Sequence, residues 1–69
     1  MSVFSERLLL LRVMRKLSQR EVAEEIDTGM RAYQRYEYGE REPQLSTLVR
    51  IADFYDVSLD YLAGRTDEM

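Results

Sequence analysis

Cysteine and histidine are both absent from these 69 residues, and the two absences remove whole classes of chemistry. Disulfides and the usual zinc sites are excluded. A general base would have to be a carboxylate, and the Asp and Glu residues are spread as helix-surface charges rather than gathered around a serine. The sequence therefore predicts no enzyme, no metal and no cofactor, and a reducing compartment is permitted. Long apolar runs are missing too. Leu8 to Leu11 makes only one turn of helix before Arg12, too short for a bilayer span or a signal-peptide core. Glycine and proline are scarce, and apart from Gly39 and Pro43 in one loop nothing reads as a linker, a repeat or a low-complexity tract. A chain of this length is one small domain burying roughly 60% of its unfolded surface. The expected organisation is a domain over 1–64 followed by a polar tail, 65–69, that frays.

What is present is helical. Strand signals are lacking, and apolar residues recur at helical spacing. Five helices are predicted, at about Phe4–Arg15, Gln19–Ile26, Met30–Glu37, Leu45–Tyr55 and Leu59–Ala63. Their inward stripes give a core of Phe4, Leu8, Leu11, Leu17, Val22, Ala23, Ile26, Tyr33, Leu45, Leu48, Ile51, Ala52, Val57 and Leu62. The stretch Leu17–Gly39 is the most informative. Ser18 and Glu21 form a capping box that starts the second helix. Asp27-Thr28-Gly29 then interrupts it with residues that favour turns and tolerate left-handed backbone. The third helix restarts near Met30 and shows Arg31, Gln34 and Arg35 away from its apolar side, a set equipped to meet base edges.

Leu17-Ser18-Gln19, Glu21-x-Ala23-Glu24, Arg35-Tyr36-Glu37-x-Gly39, Pro43, Leu48, Ile51-Ala52-Asp53 and Val57-Ser58-Leu59-Asp60-Tyr61-Leu62-x-Gly64 resemble the Cro/C1-type helix-turn-helix family of bacterial and phage regulators. The likeness runs from about Phe4 to Gly64. It implies an all-α, compact five-helix, lambda-repressor-like DNA-binding domain with the helix-turn-helix at helices two and three. It also implies that the start of helix three enters the major groove while the start of helix two anchors on phosphate. Gln19 and Arg20 then hold the backbone, with help from the positive end of the helix dipole. Arg31 and Arg35 suit guanine O6 and N7, Gln34 suits adenine, and Met30 suits a thymine methyl. Gly29 allows close backbone approach, Arg41 adds charge to the backbone-facing set, and Tyr38 is read either as a further sugar-phosphate contact or as a cover for the helix end. An Arg on the inward face of helix one, here Arg12, is expected to pair with Glu37 and so orient helix three.

Charge is unevenly placed. Residues 1–35 hold seven basic and five acidic side chains, net +2, whereas residues 36–69 hold three and eight, net −5. A basic reading side built on Arg20, Arg31, Arg35 and Arg41 is expected, with Glu40 and Glu42 weakening phosphate binding beside it. That combination predicts modest affinity per monomer, strong salt sensitivity and dependence on dimers. Helix one has a second apolar side of Leu9, Leu10, Val13 and Met14 that a partner could cover. A C-terminal surface of Tyr55, Leu59 and Tyr61 is the alternative.

The sequence reading is a DNA-binding transcriptional regulator, expected to be a repressor that occupies an inverted-repeat operator as a homodimer. Its partners are double-stranded DNA and a second copy, with no membrane. The family places it in the cytoplasm of a bacterial or phage-infected cell, at the nucleoid. One alternative is an antitoxin or control protein with a protein partner; another is a helical interaction module that has lost DNA binding. Lys16, Asp27 and Asp56 stand where relatives favour Gly, and Gln44 stands where they favour a capping Ser or Thr.

Overall fold

Serines start three of the five helices, because a side-chain oxygen there can accept one of the N–H groups that a helix start leaves unpaired. In the computed structural model, which describes residues 2–69, the elements are α1 (Val3–Met14), α2 (Gln19–Glu25), α3 (Met30–Tyr38), α4 (Leu45–Tyr55) and α5 (Leu59–Ala63). No strand occurs among the described residues. Ser2 caps α1, Ser18 caps α2 and Ser58 caps α5. The α1 cap is reciprocal: Ser5 donates its N–H to the Ser2 hydroxyl at 3.1 Å and its own hydroxyl accepts the Ser2 N–H at 3.0 Å. That box starts α1 one residue before the predicted Phe4.

Left-handed residues close the helices. Gly39 (φ 77°), Asp56 (φ 55°) and Gly64 (φ 82°) are the C-caps of α3, α4 and α5, and Lys16 (φ 58°) and Asp27 (φ 56°) turn the chain after α1 and α2. At Gly64 the requirement is double, since an added Cβ would also lie 2.8 Å from a Val3 methyl. Gln44 supplies no side-chain cap, yet α4 still begins at Leu45. Arg15 and Arg50 complete helix ends from a distance: Arg15 donates to the Tyr55 carbonyl at 3.0 Å and Arg50 to the Ile26 carbonyl at 2.8 Å. A cation at a helix C-terminus is favoured by the dipole as well as by the bond.

Each helix buries one stripe in a single core of Leu8, Leu11, Val22, Ala23, Ile26, Tyr33, Tyr36, Ile51, Ala52, Tyr55, Tyr61 and Leu62. Phe4, Leu17, Leu48 and Val57 pack on its edge, half-buried. Two expectations are corrected here. Leu45, predicted to be core, is 69% exposed, because the inward stripe of α4 runs through Thr47, Ile51 and Tyr55 and Leu45 lies to one side of it. Tyr55 and Tyr61, offered as a partner surface, are 0% and 5% exposed. Tyr55 extends the inward stripe of Ile51 and Ala52, and Tyr61 lies under the Arg7 guanidinium, 4.3 Å from its ring centre. Of that trio only Leu59 remains on the surface.

The tail is hydrogen-bonded back onto the domain. Arg7 donates to the carbonyls of Tyr61 and Thr66 and to the Asp67 carboxylate, and Met69 O accepts the Ser58 N–H at 2.8 Å. Asp67 is itself fully in solvent, so the carbonyl bonds rather than the ion pair hold this segment.

Candidate nucleic-acid interface

Between α2 and α3 the chain reverses in four residues. Thr28 N–H returns to the Ala23 carbonyl at 2.9 Å and Asp27 N–H to Glu24 at 3.2 Å, which satisfies the end of α2. Gly29 then sits in extended backbone (φ −71°, ψ 151°) as the N-cap of α3 and offers no side-chain cap. A Cβ there would meet nothing within 4 Å, so the fold itself does not require glycine. Gly29→Ser should therefore stabilise the domain by about 0.5–1 kcal/mol, through a new cap and a less flexible unfolded chain. In a thermal melt that is a rise of roughly 2–8 °C. If bound phosphate approaches this backbone, the same change weakens DNA binding, a pairing that a melt and a binding titration check together.

The α3 surface divides cleanly. Tyr33, Tyr36 and Glu37 face inward, whereas Arg31 and Arg35 are exposed and Gln34 is half-buried. Met30 packs against the core and is only partly open. Gln19, at the first position of α2, is half-buried, and Arg20, Gly29, Tyr38 and Arg41 are exposed. Among the described residues, Arg20, Arg31, Arg35 and Arg41 take part in no ion pair, so their charge is uncommitted within the fold. Glu40 and Glu42 lie exposed in the loop after α3, alongside Arg41.

Behind this surface is a polar network. Arg12 on α1 donates to Glu37 through Nε at 2.6 Å and Nη2 at 3.2 Å, and to the Leu17 carbonyl at 2.9 Å. The Tyr33 hydroxyl donates to Glu37 Oε2, and Gln19 donates to Glu37 Oε1 at 3.2 Å. Glu37 is 2% exposed. Burial alone would push its carboxyl up, but the bonds from Arg12, Tyr33 and Gln19 together with the Arg12 charge outweigh it and hold the group below the ordinary 4.5. The Arg12 guanidinium is correspondingly held in its charged form, chiefly by its bond to Glu37. Burial pushes the Tyr33 hydroxyl up, and pushes the neighbouring Tyr55 hydroxyl up to about 12. The latter has no hydrogen-bond partner.

α1 and α2 both pack on α3, so this network fixes the helix whose outer side carries the arginines. The structure brings Arg12, Gln19, Gln34 and Glu37 together and leaves the four uncommitted arginines in solvent. Leu10, Val13 and Met14 are 48%, 56% and 59% exposed on α1, while Leu9 is half-buried. Sequence reasoning missed two parts of the network. The Tyr33 hydroxyl was read only as packing, although i, i+4 spacing to Glu37 was a usable signal. Gln19 was read only as a phosphate ligand.

A capped α2, a tight turn and an α3 pinned on one side with cations on the other define a helix-turn-helix protein. A family model described as helix-turn-helix matches residues 8–62. The chain belongs to that family. It is 45% identical over 67 residues to YqaE of Bacillus subtilis, an uncharacterized HTH-type transcriptional regulator, covering 96% of this chain and 58% of that protein. It is 43% identical over 53 residues to the cryptic phage CTXphi transcriptional repressor RstR of Vibrio cholerae, covering 74% of this chain and 47% of that one. A crystal structure of a transcriptional regulator from Listeria innocua superposes with a TM-score of 0.85 at 30% identity, covering 96% of this chain and 62% of that one. The chain spans less than two thirds of the length of these proteins. These relatives are named as transcriptional regulators.

Proposed function

We propose that this chain is the operator-reading domain of a transcriptional repressor that binds an inverted repeat as a homodimer, in the cytoplasm and at the nucleoid of a bacterial or phage-infected cell. In this reading residues 1–64 are the domain and 65–69 a polar C-terminal tail. The observation that carries it is the pair of exposed, uncommitted arginines, Arg31 and Arg35, on a helix locked from behind by Glu37. Such a helix is held in place while its outward side carries donors that can meet base edges. Gln19, Arg20, Gly29, Tyr38 and Arg41 would meet the phosphate backbone, and Arg31, Gln34 and Arg35, with the open end of Met30, would meet bases. Gln19 and Arg20 sit at the N-terminal end of α2, where a helix dipole also favours anions, Gly29 lies in the turn, and Tyr38 and Arg41 lie at and just after the end of α3. Half-sites would lie about one helical turn, roughly 34 Å, apart.

Salt titration of duplex binding tests this directly. Each neutralised phosphate contributes roughly −0.9 to the slope of log affinity against log salt. Arg20→Ala should flatten the slope by about that amount per subunit while leaving base preference intact. A slope near zero in the parent protein would contradict phosphate binding.

The exposed Leu10, Val13 and Met14 on α1 favour a second reading, in which the same domain also docks a protein partner in the manner of an antitoxin or control protein. A module that had kept the fold and lost DNA binding would be indifferent to loss of Arg31, which separates it from both.

A further inference from the structure

The Gln34 side chain does not stand alone on α3. Its Nε2 donates to Gln19 Oε1 at 3.3 Å, and Gln19 Nε2 donates to Glu37 Oε1 at 3.2 Å. The bonds run in one direction, from the half-buried Gln34 to a carboxylate that is 2% exposed. An ionised carboxylate only accepts hydrogen bonds. Gln19 must therefore turn its NH2 inward toward Glu37 and its carbonyl outward, and Gln34 must answer that carbonyl with its own NH2.

We propose that Glu37, acting through Gln19, fixes the direction in which the Gln34 amide faces a base pair, and so determines specificity at that position. This rests on the operator-reading function proposed above. A side-chain amide is nearly symmetric in shape and opposite in polarity at its two ends, so a free Gln can flip and offer donor and acceptor in either order. With the relay in place, Gln34 retains its carbonyl oxygen and one N–H for DNA, in a set order. Adenine presents N6–H and N7 side by side in the major groove, and the reversed base pair presents them in the opposite order. A fixed amide therefore distinguishes A·T from T·A where a flipping one would accept both. Arg12 and Tyr33 have a part in this, because their three bonds to Glu37 keep the carboxylate ionised and stationary behind Gln19. Glu37 and Gln19 are thus positioning residues for Gln34, and Glu37 itself never reaches DNA.

The experiment uses duplexes selected from random DNA by the parent chain, together with every single base-pair substitution of the winner. Binding is measured for the parent, Gln34→Ala, Gln19→Leu and Glu37→Gln. Gln34→Ala identifies the base pair concerned. At that pair the parent should prefer the selected orientation over its reverse by about tenfold, the range of one good amide contact. Gln19→Leu and Glu37→Gln should both bring the ratio close to one, while ratios at other positions hold. Should Glu37→Gln fail to fold, Gln19→Leu decides, since it leaves the Arg12–Glu37–Tyr33 bonds in place. Uniform weakening of Gln19→Leu on all duplexes, with the orientation ratio intact, would overturn the proposal and leave Gln19 a phosphate ligand only. So would a Gln34→Ala variant with no position-specific loss. A parent chain that selects no sequence at all would instead refute the operator-reading function on which the relay depends.

Discussion

Replacing Glu37 by Ala should cost about 3–5 kcal/mol of folding stability, the usual consequence of removing one partner of a buried charged pair. The stability of a chain this size is only about 3–10 kcal/mol in total, so the variant will be largely unfolded at physiological temperature. The loss is large because one carboxylate satisfies three groups. Its removal leaves the Arg12 guanidinium, 17% exposed, without its counter-charge, and the Tyr33 hydroxyl and the Gln19 amide without an acceptor. Thermal melts followed by circular dichroism check it, and a Tm within a degree or two of the parent would contradict the network's structural importance. The same carboxylate gives the pH dependence a definite sign. Its folded pKa lies below the ordinary 4.5, so the stability it contributes is complete above that pH and is lost as pH falls through the folded value. The parent should therefore destabilise on acidification below about pH 4.5, and this component should be missing from the Ala variant.

Arg31→Ala should do the opposite, sparing the fold and damaging binding. Arg31 is exposed and in no ion pair, so its loss should change stability by no more than about 0.5 kcal/mol. A bidentate guanine contact is worth about 1–3 kcal/mol, equivalent to roughly a 5- to 150-fold loss of affinity for each half-site. A dimer on a two-fold operator loses the contact twice, and the losses multiply. Titration of the selected duplex beside a melt separates the two effects. Unchanged affinity would remove Arg31 from the reading set.

The reciprocal behaviour of these two residues reflects what was legible in the sequence. Helix positions could be read because their signals are local: Ser18 with Glu21, Ser58, and the turn residues Asp27, Asp56 and Gly64 are all within a few positions of what they start or stop. α4 and α5 accordingly have the predicted limits. The resemblance to a known family supplied the pairing of Arg12 with Glu37, which periodicity alone would not. Harder to read were residues whose amphipathic side chains suit either environment. Tyr55 and Tyr61 are chemically acceptable on a surface or in a core, and only tertiary packing, such as that of α5 on α1 and α4, decides. Leu45 shows the converse, an apolar residue of α4 that lies beside the inward stripe of Thr47, Ile51 and Tyr55. Contacts between distant segments were invisible. Arg7 holds a carbonyl 59 residues away, and Gln19 links two side chains of α3, neither implied by any local pattern.

The central claim is that this surface reads a two-fold DNA sequence, and selection of bound duplexes from a random library tests it most directly. The account predicts enrichment of an inverted repeat with half-site centres about one helical turn apart, bound with a steep salt dependence. Recovery of the starting pool at low salt, with no enriched motif, would contradict it.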